Sequence, residues 1–205
     1  LVGDSFVWGD GIPTAEETLG NRLRLSLEER APGRWQVVSA AWPGLGLYGY
    51  SRIVDELVPR IHPTAVVVSE LPPDHDPLDP QFLVDLLASP RVLLDIAIRL
   101  GVAQHIHQAS VRHHGWTWET QSNLDRFQAL GRRLMDDATA GGYRLLFLHF
   151  HPTPGHVPAD ANFLTLPEAL RYPGHPSELW YARDAHPKPA LNRKVADLLA
   201  AWLDP

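Results

Sequence analysis

The 205-residue sequence contains no cysteine, which excludes disulfides, thiolate metal sites and a cysteine nucleophile together. That absence leaves the redox compartment open. Positive charge is also scarce: 18 Lys and Arg stand against 24 Asp and Glu, for a formal net charge of -6. The chain therefore lacks the electrostatic footprint of a nucleic-acid binder, and it has no basic run for an anionic membrane surface. No apolar stretch approaches the roughly 18 residues of a membrane span, and no signal peptide is visible. Internal repeats and low-complexity tracts are missing as well. What remains is an ordinary globular composition, 44% hydrophobic and 20% charged. A chain of this length fits one domain with a core that needs no staples.

Hydrophobic periodicity gives the layout. Thr14-Ala15-Glu16-Glu17 has the form of a capping box. Leu19, Leu23 and Leu27 follow at spacing four, predicting a helix to about Arg30, which Pro32-Gly33 stops. "RWQVVSAAW" reads as a short strand, and "PGLGLYGY" as a glycine-rich turn into a second helix. The apolar face of that helix is Ile53, Val54, Leu57, Val58 and Ile61. "TAVVVSEL" is a continuous β-branched run without alternation, which suits a parallel strand buried on both faces. Pro72-Pro73 breaks it. Residues 81–100 read as a helix interrupted at Ser89-Pro90, and a histidine-rich polar stretch follows. A further helix covers roughly Ser122 to Ala140, with Leu124, Phe127, Leu130 and Leu134 on one face. "YRLLFLHF" is another strand. A long Pro/Gly-rich loop, with one helical turn near Leu166 to Leu170, reaches Tyr181, and the last helix runs from about Pro189 to Trp202. Strands alternating with helices predict a parallel sheet covered by helices.

Two short stretches could carry chemistry. The chain opens "LVGDSFVWGDG", a hydrophobic pair running straight into Gly3-Asp4-Ser5. A serine just past a parallel strand sits where open α/β sheets bind ligands, although Gly-Asp-Ser is also an ordinary turn. Near the other end, "ARDAHPKPALNRKVADLLAAWL" sets Asp184, His186 and Pro187 before an amphipathic helix. A serine nucleophile needs a base, and the base needs a carboxylate to hold its tautomer. Asp184 and His186 could supply both, although an isolated aspartate there reads more simply as a helix cap.

Taken together, these stretches resemble the SGNH hydrolases, the GDSL-type esterases and lipases, over nearly the whole chain. "VGDSFVWGDGIP" looks like the first block, with Phe6 in place of the family's leucine. "VVSAAWPGLG" is similar to the second, with Ser39 for its asparagine and Gly44 for its last glycine. "HPTAVVVSELPPD" looks like the third, and "RDAHP" like the fifth. The resemblance implies a flavodoxin-like three-layer α/β/α sandwich around a central parallel sheet, spanning residues 1–205 as a single domain. On that reading the start of the first strand is missing, and a helical and loop insertion falls around 72–120. It implies a serine-dependent acyl or acetyl esterase, or an O-acyltransferase, working through an acyl-enzyme on a small-molecule or glycan ester without a cofactor. Ser5 would be the nucleophile, His186 the general base and Asp184 its orienting carboxylate. The amides of Ser5 and Gly44 would donate to the oxyanion.

One departure is chemical. The third-block asparagine, an oxyanion donor in the family, aligns with Pro73, which has neither a side-chain donor nor an N–H. No asparagine occurs between Asn21 and Asn123, so a small shift of alignment does not restore it. His75 is the nearest substitute. The alternative function is a catalytically impaired domain of this fold that binds a carbohydrate or a protein. A smaller departure is Leu191, where the family often has glycine. The pairs His105 and His107, His113 and His114, and His149 and His151 offer imidazoles but no carboxylate at helical spacing, so no metal is expected. Trp8, Trp42, Tyr48, Trp116 and Trp118 fall near the expected cleft, where they would suit an acyl chain or a sugar face, or simply fill the core.

Overall fold

The computed structural model describes residues 1–43, 45–70, 121–150, 158, 160–166, 178–181 and 186–205. The expected insertion at 72–120 lies outside the described residues, as do Gly44, Pro73, His75, Asp184, Trp116 and Trp118. So do His105, His107, His113, His114 and His151.

In chain order the elements are β1 (Val2–Gly3), α1 (Ser5–Trp8), a 3-10 turn (Ala15–Glu17), α2 (Leu19–Arg30), β2 (Ala40–Ala41) and α3 (Leu47–Ile61). They continue with β3 (Ala65–Glu70), α4 (Gln121–Gly141), β4 (Arg144–His149), β5 (Phe163–Thr165) and α5 (Pro189–Leu203). The strands form one sheet in the order β2-β1-β3-β4-β5, parallel at every pairing. This is the doubly wound flavodoxin-like order, whose direction of winding reverses between β1 and β3. The expected fold class is the observed one.

Side-chain alternation along the central strands builds two cores. Val67, Leu146 and Leu148 face one way, into a cluster with Leu19, Leu23 and Leu27 of α2 and Leu191, Val195 and Leu199 of α5. Val66, Val68, Leu145 and Phe147 face the other way, against Leu47, Tyr50 and Val54 of α3 and Phe127 and Leu134 of α4. Both faces of β3 and β4 are therefore buried, which is why their sequences run apolar without a break. Arg144, at the start of β4, donates to the carbonyls of Trp202 (3.1 Å) and Leu203 (2.7 Å). It thereby satisfies acceptors that the end of α5 leaves open.

Several local expectations are corrected. The capping box does not form: Thr14 caps nothing with its side chain, and α2 starts at Leu19 after Thr18. Glu17 pairs with Arg22 instead of reaching back. The strand expected over 34–42 shrinks to Ala40–Ala41, because only those residues find register with β1, at Val2 and Gly3. The face of α3 is rotated toward Leu47, Tyr50, Ser51 and Val54, leaving Ile61 46% exposed. The Pro/Gly-rich stretch after β4 contains a further parallel strand, β5, paired with Phe147, Leu148 and His149. Leu191 is fully buried inside α5 rather than merely altering its start.

Candidate active site

β1 lasts only two residues before Asp4 turns the chain into α1. Asp4 is the N-cap: its Oδ1 accepts from the Phe6 N–H at 3.0 Å, the interaction that makes aspartate a favoured cap. Gly3 lets α1 lie directly on the sheet. A Cβ there would collide with the Val7 side chain and come within 2.9 Å of Ser69 Cβ. Ser5 is the first residue of α1, so its N–H has no carbonyl one helical turn earlier to receive it. The helix ends at Gly9, whose left-handed φ of 92° disfavours any side chain.

The second contribution comes from the far end of the chain. Tyr181 N–H donates to the His186 carbonyl (2.9 Å) and Lys188 N–H to the Leu179 carbonyl (2.8 Å), with an antiparallel bridge between Trp180 and Pro187. This antiparallel pairing holds residues 186–188, just before α5, against residues 179–181. The His186 ring lies 5.1 Å from the Phe6 ring, and Phe6 in turn meets Phe150 edge-on at 5.0 Å. Phe6 thus contributes an aromatic floor beside the imidazole.

The two ends meet. His186 Nε2 lies 2.9 Å from Ser5 Oγ, across 181 positions of sequence, and His186 Nδ1 is buried. Of the expected site residues, the structure brings Ser5 and His186 together; Asp184, Gly44 and His75 are outside the described residues. His149 ends β4, buried and stacked on Phe163 at 6.0 Å. Among the described residues no group of three potential ligands could hold a metal ion. Trp8 and Trp42 are 55% and 50% exposed, with ring centroids 5.9 Å apart. Because Trp42 N–H donates to the Gly3 carbonyl, this indole pair sits at the carboxyl edge of the sheet beside α1. Ser39 packs against Gly20 of α2, where a Cβ would run into its hydroxyl.

Two carboxylates near the pair escape a sequence reading. Asp4 is 2% exposed, and its Oδ2 lies 3.3 Å from Ser5 Oγ. Burial pushes its pKa from 3.8 up to about 6, against the lowering pull of the Phe6 N–H, the Ser5 hydroxyl, its own amide and His186. Asp10 approaches from the open side, with Oδ2 3.9 Å from His186 Nε2. The cap role of Asp4 had a signal, an aspartate ahead of a predicted nucleophile turn. The Asp10 approach had none, because it depends on a contact between chain ends.

A serine hydroxyl within hydrogen-bond reach of an imidazole can be deprotonated by it and can attack a carbonyl. No protein-family model matches the chain, and no protein of curated function matches it in sequence. Solved structures do match. One is the psychrotrophic esterase EstA from Pseudoalteromonas sp., in a structure inhibited by monoethylphosphonate. It has a TM-score of 0.53 and 16% identity, over 100% of this chain and 97% of that one. Another is the lipase Lip_vut3 from goat rumen metagenome, with a TM-score of 0.50 and 14% identity, over 98% of this chain and 94% of that one. The chain therefore has the α/β fold of these esterase and lipase structures, the fold that the SGNH resemblance implies. At such identities the likeness concerns the fold alone. Among the described residues, no helix is long and apolar enough to cross a membrane.

Proposed function

We propose that this protein is a serine-dependent ester hydrolase that acts through an acyl-enzyme on an acyl or acetyl ester of a small molecule or glycan. The observation that carries the reading is the 2.9 Å contact between Ser5 Oγ and His186 Nε2, at the edge of the sheet where this winding binds ligands. Ser5 attacks the ester carbonyl as His186 takes its proton, forming the acyl–oxygen bond. The imidazolium then returns that proton to the departing alcohol as the old ester bond breaks. Water, deprotonated by the same imidazole, releases the acid and restores Ser5. An acceptor alcohol in place of water would make the reaction a transfer.

The remaining roles are carried from the SGNH resemblance. Asp184 orients His186, and the amides of Ser5 and Gly44 receive the oxyanion. Pro73 takes the position of the third donor, whose loss costs on the order of 10²–10³ in turnover, about 3 kcal/mol. His75 is the substitute donor. Pro73 is also the observation that favours the second reading, a binding domain of this fold without turnover.

Phosphonate labelling separates the two readings, a choice supported by the phosphonate that inhibits EstA. A fluorophosphonate probe should modify Ser5, as located by peptide mass spectrometry. Labelling and hydrolysis of 4-nitrophenyl acetate should both fall at least about 10³-fold in Ser5→Ala and His186→Ala. A folded protein that neither labels nor hydrolyses short aryl esters would be the binding domain.

A further inference from the structure

Asp10 stands in a place where it cannot be neutral to the substrate. It is held there by backbone rather than by its own side chain. Its N–H donates to the Ser5 carbonyl at 3.0 Å, and it is flanked by Gly9 and Gly11, both at positive φ. The Tyr181 hydroxyl donates to the Gly11 carbonyl at 3.3 Å, and Tyr181 N–H in turn donates to the His186 carbonyl. Tyr181 thus staples the nucleophile's own loop to the residue that carries the imidazole. The turn aims the Asp10 carboxylate at His186 Nε2 from the solvent side, at 3.9 Å and with 61% of its side chain exposed. Lys188, the described cation on that segment, lies over the Tyr181 ring at 5.5 Å.

The general acid must reach the oxygen of the departing alcohol. On the hydrolase reading above, that alcohol therefore leaves from beside Nε2, next to Asp10. We propose that Asp10 is a specificity-determining residue whose carboxylate selects esters with an uncharged or cationic alcohol half and turns away those with an anionic one. A unit charge about 6 Å from the carboxylate, in largely aqueous surroundings, changes the rate by roughly three- to ten-fold. An exposed carboxylate is also screened by salt. The buried Asp4 lies behind Ser5 and does not face the alcohol.

The test uses three acetate esters that differ in leaving-group charge: acetylcholine (cationic), 4-nitrophenyl acetate (neutral) and 4-acetoxybenzoate (anionic). In Asp10→Asn, the kcat/KM ratio of cationic to anionic ester should fall by about ten-fold, and in Asp10→Lys it should fall further. Asp10→Glu should keep the ratio, and 0.5 M salt should compress it in the unmodified protein. An unchanged ratio in Asp10→Asn and Asp10→Lys, with the neutral ester still turned over, would overturn the proposal and leave the hydrolase standing. Loss of neutral-ester turnover in both Asp10→Asn and Asp10→Glu would also overturn it, marking Asp10 as a structural residue. No hydrolysis of any of the three esters by the unmodified protein, with Ser5 unlabelled, would sink both.

Discussion

Asp4 and Asp10 belong to the same short segment and flank the same serine–imidazole contact, yet they live in opposite surroundings. Asp4 is sealed between α1 and the sheet, 2% exposed. Asp10 stands 61% exposed beyond the end of that helix. The same functional group is thereby given two kinds of work. Inside, ionisation is expensive, and the carboxyl serves mainly through its hydrogen bonds to Phe6 N–H and the Ser5 hydroxyl. Outside, solvent screens the carboxylate and weakens its reach, which suits it to biasing what approaches rather than to holding structure. Position relative to the sheet, set by Gly3 and Gly9 at either end of α1, separates the two.

The largest way to test that contrast is to remove the inner charge and keep the shape. A rise of the Asp4 pKa from 3.8 to about 6 corresponds to about 3 kcal/mol. Because the folded-state value is raised, the native protein keeps the proton while the unfolded chain loses it. Stability from this group is complete only well below pH 3.8 and is lost as pH rises through about 6. Asp4→Asn resembles the protonated acid and keeps an oxygen for the Phe6 N–H. Relative to the parent, the variant should gain about 2.4 kcal/mol in urea unfolding between pH 4 and pH 7. A constant difference across that range would mean that Asp4 is hydrated in the native protein.

A second test breaks the burial itself. Gly3→Ala inserts a methyl between Val7 and Ser69, and overpacking of this kind costs about 2 kcal/mol. If α1 lifts to make room, water reaches Asp4 and its ionisation becomes easier. The benefit of Asp4→Asn at pH 7 should then shrink in the Gly3→Ala background, a coupling that a double-mutant cycle reads directly. Additive effects would show that α1 stays seated and the strain is relieved elsewhere.

How much of this could be read from the residues depended on whether the signal was local. β3 and β4 were legible because apolar β-branched runs have few other uses, and the Leu19, Leu23 and Leu27 stripe fixed the face of α2. β5 was not: Phe163–Thr165 is three residues long, in a stretch whose prolines and glycines dominate the pattern, and it is a strand because β4 offers an edge. The true length of β2 depended on its register with β1, which no window of sequence contains. Thr14 carried every mark of a cap, but Thr18 lies nearer the leucines that the core draws in, so the helix starts there. The meeting of Ser5 with His186 was expected from the resemblance. The Gly3 contact with Ser69, the burial of Asp4 and the aim of Asp10 each join segments far apart in the chain.

The smallest expected effect completes the contrast. Among the described residues, the Asp10 carboxylate accepts no hydrogen bond that holds the fold and makes only the 3.9 Å approach to His186. Exposed pairs at such distances contribute at most a few tenths of a kcal/mol. Asp10→Asn should therefore change unfolding free energy by less than about 0.5 kcal/mol at pH 7. The size of the change at pH 7, measured by the same urea unfolding, discriminates between the two acids without any substrate. A stability change in Asp10→Asn as large as that in Asp4→Asn would show that the outer carboxylate is structural. The division of labour between the two would then be lost.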